Sequence, residues 1–80
     1  MERYKRYIDV ELLQQKDGNI IPLSLVWNDG KKYSIDKVIC KEKRISSVGG
    51  CGMRFTCLIQ GKMRYLYLEK DKWFIESYRP

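Results

Sequence analysis

Apolar and polar residues alternate with period two, and the alternation breaks at glycine-bearing turns. This predicts an all-β fold: a small, strongly bent antiparallel sheet of five to six strands, SH3-like or a partly open barrel. Two further observations carry that reading. No segment sustains a helical period, and the one interval open to a helix, around Glu42 to Ser47, has room for a single turn.

The first run is Ile8, Val10 and Leu12, with Asp9 and Glu11 between. The second is Ile21, Leu23, Leu25 and Trp27, with Pro22, Ser24 and Val26 between. A one-residue slip moves every side chain to the other face, so each turn can be tested against these faces. A two-residue type I′ turn at Asp17-Gly18 sets Leu12 opposite Leu23, Val10 opposite Leu25 and Ile8 opposite Trp27. For the next connection a two-residue Asp29-Gly30 turn would put Leu25 opposite Ser34. A three-residue Asn28-Asp29-Gly30 loop, with Gly30 left-handed, puts Leu25 opposite Tyr33 and Leu23 opposite Ile35. The pattern selects the three-residue loop. Residues 7–40 then form a meander with one buried face.

The third run starts at Tyr33 and Ile35 and continues to about Arg44. Its apolar parity shifts from odd to even at Val38 and Cys40, which predicts a bulge or bend near Asp36-Lys37. Two more strands are expected at 53–60 and 63–69, and a short last one in "KWFIES". Residues 1–6 read as an N-terminal arm and 45–52 as a Gly-rich loop.

Eighty residues make a single domain with a thin stability margin, since a chain this short buries only roughly 60% of its unfolded surface. At 44% apolar and 32% charged residues it can fill one small core and is too apolar to be disordered. No apolar run reaches the ~20 residues that span a bilayer, and the first residues lack the apolar core of a secretory leader. The expected location is cytoplasmic, with no membrane partner. Cys40, Cys51 and Cys57 are odd in number and lack C-x-x-C spacing, and the chain has no histidine. A closed zinc site needs four such ligands; free thiols in a reducing compartment are expected, with no metal and no cofactor.

The net charge is +6. Residues 31–44 hold six basic and two acidic side chains, whereas residues 7–30 are net acidic. A one-sided field favours nucleic acid or an acidic protein surface. The blander reading is a solvated face with edge lysines that discourage aggregation.

Met53-Arg54-Phe55 and Met63-Arg64-Tyr65 repeat one triplet ten positions apart. Arginine beside an aromatic on neighbouring strands suits a single-stranded nucleic-acid platform. A two-residue turn at Gln60-Gly61, which resembles Asn-Gly, pairs Phe55 with Leu66, Cys57 with Arg64, Arg54 with Tyr67 and Thr56 with Tyr65. Arg54 and Arg64 then point to opposite sides. A three-residue Ile59-Gln60-Gly61 loop would instead pair Phe55 with Tyr65 and put both arginines on one face. In the favoured register Arg54, Tyr65 and Tyr67 share a face, where they can stack a base, hold a phosphate or cover the core edge.

The "SSVGGCG" loop leads into a strand and lacks the G-K-[ST] of a P-loop, so it reads as a connector flanked by Arg44 and Arg54. Cys51 has no histidine to serve as its base. The carboxylates fall singly, without the pairing that acid–base catalysis needs. Trp73 is expected to plug the barrel against Trp27. Phe74, on the other parity, is a core or rim residue that could alternatively anchor a partner.

"IIPLSLVWNDGKKYSIDKVI", "GGCGMRFTCLIQGK" and "KWFIE" together resemble a family of small uncharacterised β proteins of Firmicutes, often found near mobile elements. The shared pattern is P-x-x-x-x-W, D-G-x-x-Y-x-I-D-x-V, a Gly-rich loop before R-[FY]-T-C, and W-F-[VI]-E, over about residues 8–76. The resemblance implies a compact all-β domain in a bacterial cytoplasm and brings no catalytic residues.

The expected function is a non-catalytic binding module for nucleic acid or an acidic protein segment. Its candidate contacts are Lys31, Lys32, Arg44, Arg54 and Arg64, with Tyr65 and Tyr67. The rival is a protein-interaction or structural subunit acting through a sheet edge, the Phe74 region or homodimerisation.

Overall fold

The alternating runs become strands, and the turns between them fold the chain back on itself. The computed structural model describes residues 3–45 and 51–78. The described residues form one antiparallel sheet of seven strands: β1 (Arg3–Gln14), β2 (Ile20–Val26), β3 (Lys32–Ser34), β4 (Lys37–Ile45), β5 (Cys51–Ile59), β6 (Lys62–Glu69) and β7 (Lys72–Tyr78). The spatial order is β3-β2-β1-β7-β6-β5-β4. The all-β class is as predicted, but the strand count exceeds five to six because the third run divides at Ile35-Asp36. There the Ile35 N–H donates to the Leu23 carbonyl of β2 (2.9 Å), and the Asp36 N–H donates to the Leu58 carbonyl of β5 (2.8 Å). Two consecutive residues thus reach toward opposite ends of the strand order, and the sheet curls into a half-barrel. A further register shift between Val38 and Cys40 leaves Ile39 bulged.

Residues 3–6 extend β1 and are not a free arm: Arg3 through Ile8 pair in register with Tyr78 through Trp73. Tyr, Lys and Arg supply these positions, so the hydrophobic pattern is silent where the backbone is ordered by β7. The loop expected at 45–52 is narrower, since Ile45 ends β4 while Cys51 and Gly52 open β5. Residues 46–50 lie outside the described residues. Gly52 has a packing reason: a Cβ there would run into the Leu68 carbonyl oxygen of β6.

The registers follow the turn chemistry with one correction. The β2–β3 loop is the three-residue form, with Gly30 at φ 83°, Trp27 N–H bonded to the Lys31 carbonyl, and Leu25 opposite Tyr33. The β5–β6 turn is the two-residue form, with Gln60 at φ 52° and Gly61 at φ 75°, the paired left-handed values of a type I′ turn. Phe55 accordingly faces Leu66, and Cys57 faces Arg64. The β1–β2 turn, however, is one residue longer than predicted. Gln15 N–H bonds the Asn19 carbonyl (2.8 Å), and Gly18, at φ 93°, closes a three-residue loop. A bulge between Glu11 and Leu12 then restores the expected pairing, so Val10 does lie opposite Leu25, while Leu12 meets Pro22. The ladder stops at Asp9↔Val26, short of Ile8 and Trp27. Leu23 is the residue displaced; it is 49% exposed, and Pro22 is buried in its stead.

The core lies inside the curl. Ile8 and Leu25 from the β1–β2 side meet Phe55, Cys57, Ile59, Leu66 and Trp73. Trp73 packs against Phe55, ring centroids 5.0 Å apart, with Trp27 half-buried at the edge of the same cluster. Phe74 is buried too, on the opposite face, stacked on Tyr67 at 5.1 Å and met edge-on by Tyr7 at 5.9 Å. That burial removes Phe74 as an exposed partner anchor.

Candidate functional site

A strand in the middle of a sheet is normally paired on both sides, and β6 is not. It pairs with β5 from Ile59↔Lys62 to Met53↔Leu68, but with β7 only at Tyr67↔Phe74, Leu68↔Trp73 and Glu69↔Lys72. Beyond Phe74, β7 continues along β1, from Arg6↔Ile75 to Arg3↔Tyr78. β6 and β7 therefore diverge from the Lys70-Asp71 turn and leave a cleft of about 750 Å³. The split reaches both faces of the sheet. Leu66, Leu25 and Ile75 line it from the core side, and Arg54, Tyr65 and Tyr67 from the other.

Backbone alternation decides which β6 groups look into the cleft. The two-residue turn closes on Ile59↔Lys62, so Lys62, Arg64 and Leu66 turn their N–H and C=O toward β5. Met63 and Tyr65 turn theirs toward the opening. The same half of β6 is exposed on both faces: Met63 is 56% and Tyr65 48% exposed, with Lys62 and Arg64 also in solvent.

Arg54 lies on β5 opposite Tyr67 and across from Glu42 of β4. Its guanidinium donates to the Glu42 carboxylate at 2.5 Å and covers the Tyr65 ring at 4.3 Å from its centroid. The Glu42 bond holds the guanidinium pKa above its ordinary value. Arg54 Nε is buried without a hydrogen-bond partner among the described residues. Tyr67 donates its hydroxyl to Glu76 (3.0 Å); burial first, and that bond second, raise its pKa. Glu76 also pairs with Arg3 at 3.4 Å.

Of the residues expected from sequence, the cleft gathers Arg54, Arg64, Tyr65 and Tyr67. Register puts the two arginines on opposite faces, as the favoured turn predicts, yet the split lets both border one opening. Lys31 and Lys32 lie elsewhere, on the β2–β3 turn and β3. Lys32 pairs with Glu11 at 3.0 Å; that carboxyl also accepts the buried Ser24 hydroxyl (2.6 Å), and both bonds lower its pKa. The Arg44 side chain lies outside what is described. Sequence reasoning missed Lys62, Met63 and Arg3. A signal was present: Lys62 and Arg64 put charge on the parity that Leu66 and Leu68 make apolar, so the core-facing stripe of β6 ends at Leu66.

No group of three or more His, Cys, Asp or Glu suited to a metal occurs among the described residues. Cys57 is buried, and burial pushes its thiol up to about 11, away from a reactive thiolate. No helix is long and apolar enough to cross a membrane among the described residues. No family model matches the chain, and no curated protein or solved structure matches it significantly.

Proposed function

We propose that this chain is a non-catalytic binding module, an SH3-like and partly open barrel of a bacterial cytoplasm, that holds an anionic partner in the β6–β7 cleft. Nucleic acid and an acidic protein segment both offer that chemistry. The observation that supports the reading most is the lining. Lys62 and Arg64 border the opening with no ion-pair partner among the described residues, and Arg54 sits beside the half-exposed Tyr65. An anion entering there meets unspent positive charge next to low-dielectric walls.

Trp27 lines the cleft and reports on it. Its fluorescence is titrated with an oligothymidylate and with a glutamate-rich peptide at low and moderate salt. At least one probe saturates the signal, and log affinity falls linearly with log salt for the nucleic acid. Arg64→Glu weakens binding about tenfold, the scale of one charge-assisted contact, whereas Lys31→Glu leaves it nearly unchanged. If neither polyanion binds at low salt, the reading fails.

One feature favours a second reading, a structural subunit that self-associates through a sheet edge. Leu12, Leu13 and Leu23 are each exposed in the β1–β2 hairpin, on both faces of its outer half. Light scattering separates the two, since this reading requires a dimer that persists on dilution and ignores polyanions.

A further inference from the structure

An edge with unpaired backbone groups has a stricter preference than an electrostatic patch has. Phosphates and carboxylates both satisfy cations, but only an extended polypeptide satisfies an N–H and a C=O repeated every second residue along a strand. The free edge of β6 presents such a repeat at Met63 and Tyr65. Its side chains alternate as well. Lys62 and Arg64 project on one face of the sheet, and Met63 and Tyr65 on the other, all four exposed. Cross-strand neighbours pair by chemistry, opposite charge with charge and apolar with aromatic.

We propose that the partner is a protein segment that adds as a strand to the free edge of β6, alternating acidic residues across from Lys62 and Arg64 with apolar ones across from Met63 and Tyr65. The inference rests on the anionic-cleft reading and names the partner within it. The ring contacts weigh against nucleic acid as the occupant. Tyr67 is already stacked on Phe74, Arg54 covers one side of Tyr65, and Arg6 lies 5.0 Å over Trp27. Few ring faces are left for bases, whereas a strand needs none. The cleft, at about 750 Å³, is within the roughly 300–1,000 Å³ range of ligand pockets in general. Leu25, Leu66 and Ile75 line its core side, the face onto which Lys62 and Arg64 also project.

The test uses the full chain, labelled with nitrogen-15, and capped octapeptides alternating glutamate with valine, isoleucine, phenylalanine or tyrosine. Oligothymidylate is the competing probe. The expected result is saturable peptide binding that slows amide exchange at Met63 and Tyr65 at least about tenfold, with Leu66 little changed because it already bonds β5. N-methylation of the peptide amides on one edge, or Arg64→Glu, weakens binding about tenfold or more. Peptides with lysine in place of glutamate do not bind.

Three results overturn the inference. If oligothymidylate binds and no peptide does, the strand partner is wrong while the anionic cleft stands. If peptides bind without slowing exchange at Met63 and Tyr65, contact is through side chains and strand addition is excluded. If neither probe binds, both readings fail together. Arg64 is exposed, so Arg64→Glu is expected to fold, and its unfolding midpoint checks that directly.

Discussion

The two halves of β6 share one β5 partner and differ in burial and in pairing with β7. Tyr67 and Leu68 are paired with both β5 and β7, flanked by Leu66 on β5 and Glu69 on β7; Leu66 and Tyr67 are buried, and Leu68 and Glu69 half-buried. Lys62 through Tyr65 continue the same strand with the same β5 partner and are exposed throughout. Composition does not separate them, since Met63 and Tyr65 are as apolar as many core residues. The missing second neighbour does. A side chain on a sheet is buried by what lies beside and above it, so the loss of β7 on one flank turns core positions into a free surface.

Breaking the paired half should cost far more than altering the open half. Phe74→Ala removes the ring that stacks on Tyr67 and is expected to destabilise by about 3–5 kcal/mol in urea unfolding. Gly52→Ala pushes a methyl into the Leu68 carbonyl and should cost about 1–3 kcal/mol by the same measurement.

Alkaline pH tests the buried interior. The folded pKa of Cys57 is raised to about 11, so the unfolded chain loses its proton first. Stability is then intact below the ordinary thiol range and falls as pH climbs toward 11, by about 1–2 kcal/mol. The raised pKa of Tyr67 acts with the same sign. Urea midpoints across that window check the fall, which Cys57→Ala should reduce; a flat profile would show that Cys57 is accessible. Tyr67→Phe loses the bond to Glu76 together with the hydroxyl's interaction with Arg54, and should cost about 1–2 kcal/mol. In the open half, Met63→Thr and Arg64→Gln should stay within about 0.5 kcal/mol of the parent. A larger loss there would place that segment in contact with something it does not touch in this fold.

Much of this was legible in the chain, and the exceptions have physical causes. Asn28-Asp29-Gly30 and Gln60-Gly61 set their registers because a left-handed residue at a known place leaves one pairing that matches the apolar faces. Asp17-Gly18 misled because a longer loop and a bulge at Glu11-Leu12 shift the register in opposite senses and cancel by Val10↔Leu25. The parity at 8, 10 and 25 is the same in either arrangement; the difference shows in the exposure of Leu12 and Leu23 and the burial of Pro22. Arg3 to Arg6 carry no hydrophobic pattern, so their pairing with β7 was hidden. Arg54, Tyr65 and Tyr67 could be placed on one face from the turn alone. The divergence of β6 from β7 could not, because it depends on β7 following β1, a long-range choice that no local residue encodes.

Native-state amide exchange, read residue by residue without any ligand, tests the split of the sheet most directly. Leu66, bonded to β5, and Tyr67, bonded to β7, should be protected at least about a hundredfold more than Met63 and Tyr65, whose N–H groups face the cleft. Equal protection at all four would mean that β6 is paired along both edges, and the cleft with its partner would go with it.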